Sequence, residues 1–142
     1  LDNQDLIGKR VLDYGCGSGI LAIAALLLGA NQCLAVDIDP QALTATRENA
    51  ILNGVLDRLE IGLGEEFEMD QYDVVMANIL AGPLLDLADL LTACLRPNAD
   101  LVLSGLLEKQ QIQVQSAYKK EVSFVAQTKR DGWVCAHGKR CC

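Results

Sequence analysis

The 142-residue sequence has no run of about 18 consecutive apolar residues, so it holds no candidate transmembrane helix. Its longest apolar stretch, Ile20 to Leu28, follows a glycine loop and lacks the charged flank and cleavage site of a signal peptide. Six cysteines are present, at 16, 33, 94, 135, 141 and 142, yet none forms a CxxC pair. No Cys/His cluster has zinc spacing either, so no metal site is expected. The cysteines read as reduced thiols, several of them small apolar residues within strands and helices, and point to a cytoplasmic protein. Basic residues are scarce, 12 against 19 acidic ones, giving a formal charge of −7. That balance argues against a broad nucleic-acid face, which needs clustered Lys and Arg. The small basic cluster Lys139-Arg140 reads as solvated. There is no internal repeat, low-complexity tract or linker-like stretch.

About half the residues are apolar, enough for the core of one domain over residues 1–142. The chain opens on Leu1 and not Met, so it is expected to be a fragment with a partner domain upstream. Strand-like and helix-like segments alternate, as in a parallel sheet with crossover helices. The expected order is a strand over Arg10 to Tyr14, a turn over Gly15 to Gly19, and a helix over Ile20 to Leu28 stopped by Gly29. A strand over Cys33 to Asp37 follows, then a helix capped by Asp39 with Pro40 at its first position, running to Leu52. Strands over Arg58 to Ile61 and Tyr72 to Ala77 flank an acidic loop. A helix opening at Pro83 presents Leu84, Leu85, Leu87, Ala88, Leu91 and Leu95 as an apolar face. Arg96-Pro97-Asn98 is a turn, Asp100 to Ser104 a strand, and Glu108 to Ala117 a helix. Lys120 to Thr128 alternates, with Val122, Phe124 and Ala126 on one side, and Asp131-Gly132 turns it into Trp133 to Lys139. An antiparallel hairpin is thus added to a parallel sheet.

Two features of this order carry chemistry. Between the first strand and helix lies Val11-Leu12-Asp13-Tyr14-Gly15-Cys16-Gly17-Ser18-Gly19, where glycines let a ligand lie against the backbone at a helix N-terminus. Asp37 ends the neighbouring strand 22 residues after Gly15, placed to accept both hydroxyls of a ribose. A dinucleotide fingerprint would put glycine at position 20, but Ile20 stands there, so the G-x-G-x-G spacing is that of methyltransferases. A nicotinamide-dependent dehydrogenase is disfavoured on the same ground. At the end of the fourth strand, the Asn78 side chain and the Ile79 carbonyl offer two acceptors that could orient an amine.

The segments VLDYGCGSGILAIAA, AVDIDPQAL, ENAILNG, ANILAGPL and LSGLLEKQ, in this order, resemble PrmA, a bacterial family of methyltransferases acting on a large-subunit ribosomal protein. The resemblance spans about Ile7 to Arg140, and NILAGPL with LSGLL is its most selective part. It implies an α/β three-layer sandwich: a Rossmann-like, seven-stranded class I methyltransferase sheet, mostly parallel with an antiparallel C-terminal hairpin. It implies S-adenosylmethionine as donor and lysine or N-terminal amines of a ribosomal protein as acceptors, with no membrane and no direct nucleic-acid partner. Carried over by residue, Gly15, Cys16 and Gly17 line the methionine end, and Asp37 and Ile38 the ribose and adenine side. Asn78 touches both cofactor and amine, and Ile79 faces the amine. For Asp13 two readings stay open, a hold on the methionine amino group or a structural bond to the glycine turn. Glu65 and Glu66 are candidates for adenine contact. The family's N-terminal substrate-gripping domain, and its Thr-containing glycine motif before the first strand, have no counterpart in this sequence.

The donor in such a reaction is already activated, so positioning and desolvation suffice. No strong base stands out for the amine's proton: His137 is the sole histidine and lies on the last strand, far in order from the site. A covalent role for Cys16 is not expected. The competing readings are a small-molecule methyltransferase of the same fold and a cofactor-binding fragment inactive without its partner domain.

Overall fold

The computed structural model describes residues 5–64 and 70–141, divided into two compact units at Met69/Asp70. Glu65 and Glu66 lie outside the described residues. In the first unit β1 (Arg10–Tyr14), β2 (Gln32–Asp37) and β3 (Leu59–Leu63) form a parallel ladder in the order β3-β2-β1. Val11, Leu12, Ala35 and Val36 are fully buried, as central parallel strands covered on both faces require. Two helices make the crossovers, α1 (Ile20–Leu27) and α2 (Pro40–Leu52).

The punctuation read from the sequence is what ends these helices. Gly29 adopts a left-handed φ of 110°, the Gly29 amide donates to Leu26, and the Ala30 amide donates to Ala25, closing the terminal carbonyls of α1. Gly54 and Val55 close α2 in the same pattern onto Ile51 and Ala50. At the other end of α2, the Asp39 carboxylate accepts from the Gln41 amide at 2.9 Å, with Pro40 in the first turn. Arg58 donates to the carbonyls of Ala30 and Leu26, satisfying further groups at the end of α1.

In the second unit β4 (Tyr72–Asn78) pairs in parallel with β5 (Leu95–Leu107). Strand β7 (Trp133–Arg140) runs antiparallel to β5, and β6 (Val122–Arg130) antiparallel to β7. Helices α3 (Ala81–Asp86), α4 (Ala88–Ala93) and α5 (Gln111–Tyr118) pack on them, the buried Tyr118 hydroxyl donating to the Leu84 carbonyl at 2.7 Å.

Four expectations are corrected here. The helix expected from Pro83 begins two residues earlier, because proline is tolerated anywhere in a first turn whose amides have no helical partner. It is also interrupted at Leu87, although Leu84, Ala88 and Leu91 remain buried on one face and Leu95 belongs to β5. Arg96-Pro97-Asn98 is not a turn but an irregularity inside β5, between the Tyr72–Leu95 and Val74–Asp100 pairings, with Asn98 at a φ of 66°. The hairpin alternation breaks after Phe124, where the register skips Val125, so Val122 is buried and Ala126 is exposed. Lys139 and Arg140 are not merely solvated. Lys139 pairs with the buried Asp100 at 3.0 Å, and Arg140 donates to the carbonyls of Thr92 and Leu95.

Candidate functional site

The first unit holds the glycine loop. Gly15, Gly17 and Gly19 all have left-handed φ values, 78°, 56° and 86°. The Gly15 and Cys16 amides both donate to the Val36 carbonyl, which ties the loop to the end of β2. The Gly17 amide donates to Asp37 Oδ2 at 2.9 Å, while Asp37 Oδ1 accepts from the Asp39 amide at 3.0 Å. Asp37 is therefore fixed in orientation, with a lone pair left on each oxygen. Ile38, next along, is 75% exposed beside it.

Two residues that the sequence reading passed over hold the loop from α2. Thr46, fully buried, donates to the Gly17 carbonyl at 2.9 Å, and Asn49 donates to the Ser18 carbonyl at 2.9 Å. Asn49 stands inside the ENAILNG segment, the one sequence signal that could have found it. A Cβ at Gly19 would meet Thr46 at 2.8 Å, whereas one at Gly17 would meet nothing within 4 Å. Gly19 is thus required by the protein itself, and open space lies beside Gly17.

Cys16 turns inward. Its thiol sits 3.5 Å from Thr46 Oγ1, its carbonyl accepts from Gly19, and burial pushes the thiol pKa up to about 11. The Thr46 hydrogen bond offsets that only in part, so the thiol stays protonated and unreactive.

Asp13 is 1% exposed, and neither carboxylate oxygen has a hydrogen-bond partner among the described residues. Of the two readings open for Asp13, the structural bond to the glycine turn is not made among the described residues. Burial raises its pKa to about 7. The amide of Ala22, in the first turn of α1, pulls back without completing a bond, and the Asp37 charge pushes further up. A buried, unsatisfied carboxylate at the head of a glycine loop is a place for a positive group.

The second unit holds Asn78, at the exposed end of β4, and Ile79 after it. Gly105, in β5 with a φ of 86°, brings them into register: a Cβ there would lie 2.6 Å from the Ile79 carbonyl oxygen and 3.3 Å from Asn78 Oδ1. Two acceptors thus converge over a residue that has no side chain to block them. Gly105 was missed in the sequence reading, although it is the glycine of LSGLL. Asn78, Ile79, Leu80, Ser104 and Gly105 line one side of a cavity of about 520 Å³. Thr128, Arg130, Trp133, Val134 and Cys135 of the hairpin line the other. His137 is not among them; its Nε2 lies 2.8 Å from Asp100 Oδ1, further along β7.

The family model described as ribosomal protein L11 methyltransferase (PrmA) matches residues 1–141. The ribosomal protein L11 methyltransferase of Pseudomonas aeruginosa is 50% identical over 141 residues, 99% of this chain and 48% of that protein. That of Azotobacter vinelandii gives the same figures. The chain therefore spans about half the length of the curated relatives it matches. A solved ribosomal protein L11 methylase from Lactobacillus delbrueckii subsp. bulgaricus is 32% identical, covers 99% of this chain and 74% of its own, and superposes with a TM-score of 0.88. An RNA methyltransferase from Salinibacter ruber, solved with S-adenosyl-L-homocysteine, shares the fold at 20% identity, covering 99% of this chain and 87% of its own, with a TM-score of 0.79. The fold is the class I methyltransferase fold, a Rossmann-like α/β arrangement with a seven-stranded mixed sheet in the order 3-2-1-4-5-7-6 and antiparallel strands at its C-terminal end.

Proposed function

The chain belongs to the ribosomal protein L11 methyltransferase family, and on that premise we propose that it is the half of such an enzyme that binds S-adenosylmethionine and methylates amino groups of the ribosomal protein. The observation that carries the amine as acceptor is the convergence of Asn78 Oδ1 and the Ile79 carbonyl over Gly105. Both are neutral acceptors, suited to take N–H bonds from an amine and leave its lone pair aimed outward.

The first unit's residues suit the cofactor. Asp13, buried and without a partner among the described residues, would hold the methionine ammonium, directly or through water. Gly15 and Gly17 would line the methionine end, with Cys16 keeping the turn between them. Asp37, held by two backbone amides, would accept the ribose hydroxyls with its remaining lone pairs, and the exposed Ile38 would cover the adenine. When bound, this cofactor supplies a methyl group already activated on a sulfonium. What remains for the protein is to orient the amine and exclude water, and the mostly apolar hairpin wall serves the second task. A cytoplasmic home belongs to the same reading, supported by cysteines that are all free among the described residues.

Calorimetric titration with S-adenosylmethionine and with NAD tests the cofactor. Transfer of a labelled methyl group to ribosomal protein L11 tests the acceptor, using the chain alone and joined to the remaining half of the Pseudomonas aeruginosa relative. S-adenosylmethionine is expected to bind and NAD is not, with label appearing on amino groups. Binding of NAD alone would sink the reading. Label transferred only by the joined form supports a second reading, favoured by the 48% coverage, in which this half binds cofactor and the rest of the protein presents the substrate.

A further inference from the structure

Methyl transfer asks for a neutral amine, yet a lysine side chain in water keeps its proton below about pH 10. Among the described residues, none that lines the cavity over Gly105 can take that proton. Of the described residues lining it, Arg130 is the charged one, and it is a cation. Cys135 is the other titratable group among them. Burial raises its thiol pKa, and a hydrogen bond with Thr128 offsets this only in part, so the thiol is neutral. The acceptors at the base, Asn78 Oδ1 and the Ile79 carbonyl, carry no charge. Leu80, Val134 and a half-exposed Trp133 make the walls apolar.

Arg130 is placed by the hairpin itself. It pairs with Trp133 across a two-residue turn in which Asp131 and Gly132 both have left-handed φ, 52° and 82°. Neighbouring Lys129 is tied to Glu108 at 3.0 Å, and Asp131 sits exposed in the turn. No hydrogen bond or ion pair holds the Arg130 guanidinium among the described residues. An ammonium entering this cavity gives up water for two neutral acceptors and meets a like charge, while a neutral amine loses far less.

We propose that the cavity selects the unprotonated form of a primary aliphatic amine, Arg130 repelling the ammonium, so that the proton goes to bulk water before the nitrogen meets the methyl group. No general base is then needed. After transfer the methylated nitrogen carries the positive charge and sheds its proton to water by the same route. This rests on the reading of Asn78 and Ile79 as amine acceptors, and adds how the amine becomes a nucleophile.

Trp133 is the only tryptophan of the chain and stands on the cavity wall, so its emission reports occupancy. The probe is Nα-acetyl-lysine methylamide, titrated between about pH 7 and about pH 9, with the norleucine analogue as a control lacking the nitrogen. The apparent Kd for the lysine probe is expected to fall about tenfold per pH unit as the neutral fraction grows, while that of the control stays constant. Arg130→Glu is expected to flatten this slope by admitting the ammonium, and Arg130→Lys to preserve it. A lysine-probe Kd independent of pH, an unaltered slope in Arg130→Glu, or no saturable emission change at the highest pH would each overturn the proposal. No cofactor enters this experiment. Its failure is thus separable from a failure to bind S-adenosylmethionine, which would sink the functional reading instead.

Discussion

The side chain of Thr46 occupies the space into which a Cβ on Gly19 would project, its methyl carbon 2.8 Å from that point, while its hydroxyl holds the Gly17 carbonyl at 2.9 Å. One residue on α2 therefore fixes the loop at one glycine and forbids any other residue at the next.

Gly19→Ala is expected to destabilise the chain on two counts. A left-handed alanine costs about 1–2 kcal/mol, and the clash with Thr46 adds overpacking on the order of 1–3 kcal/mol. Denaturant unfolding of Gly19→Ala with and without Thr46→Ser separates them. Removing the Thr46 methyl should recover part of the second loss and none of the first.

Asp13 gives the stability a pH dependence of unusual sign. Its folded pKa, about 7, lies above the ordinary value of 3.8, so the folded state binds the extra proton between the two. Its contribution to stability is present below about pH 4 and is lost as pH rises to about 7, by on the order of 4 kcal/mol. Asp13→Asn should abolish this slope and be more stable than the parent above pH 7. Unfolding curves from about pH 5 to about pH 8 measure it.

The same residue should report the cofactor. A cation beside Asp13 favours its charged form, so S-adenosylmethionine binding should release a proton and weaken below about pH 7. Asp37→Ala should lower affinity by about tenfold to a hundredfold, since charged hydrogen bonds are worth about 1.5–3 kcal/mol. Calorimetry in buffers of different ionisation enthalpy reads both effects. Unchanged affinity in Asp37→Ala would mean that the ribose sits elsewhere.

How much of this was visible in the sequence depends on whether the signal is local. The ends of α1 and α2 follow from Gly29, Asp39-Pro40 and Asn53-Gly54, because caps act within one turn of chain. The glycine loop and Asp37 were legible because strand, turn and helix are consecutive, and the carboxylate ends the next strand. What escaped depends on contacts distant in sequence. Thr46 and Asn49 look like ordinary helix residues until α2 packs beside the loop, and Gly105 has no role until β5 brings it under Ile79. The slipped register at Val125 was hidden for a related reason: an alternating pattern gives no sign of where a bulge inverts it.

Gly105→Ala should cut methyl transfer far more than it lowers cofactor affinity. The added methyl would sit 2.6 Å from the Ile79 carbonyl oxygen and 3.3 Å from Asn78 Oδ1, displacing both acceptors. A loss of at least about a hundredfold in kcat is expected, since a misplacement of about 1 Å costs that much. Single-turnover transfer alongside calorimetry checks it.

Asn78→Ala removes the side chain that, with the Ile79 carbonyl, would orient an amine for methyl transfer. Single-turnover transfer of a labelled methyl group to ribosomal protein L11, measured with S-adenosylmethionine saturating, should fall by about a hundredfold or more. Cofactor affinity should change by far less. Transfer at the parent rate in Asn78→Ala would mean that the amine is oriented elsewhere.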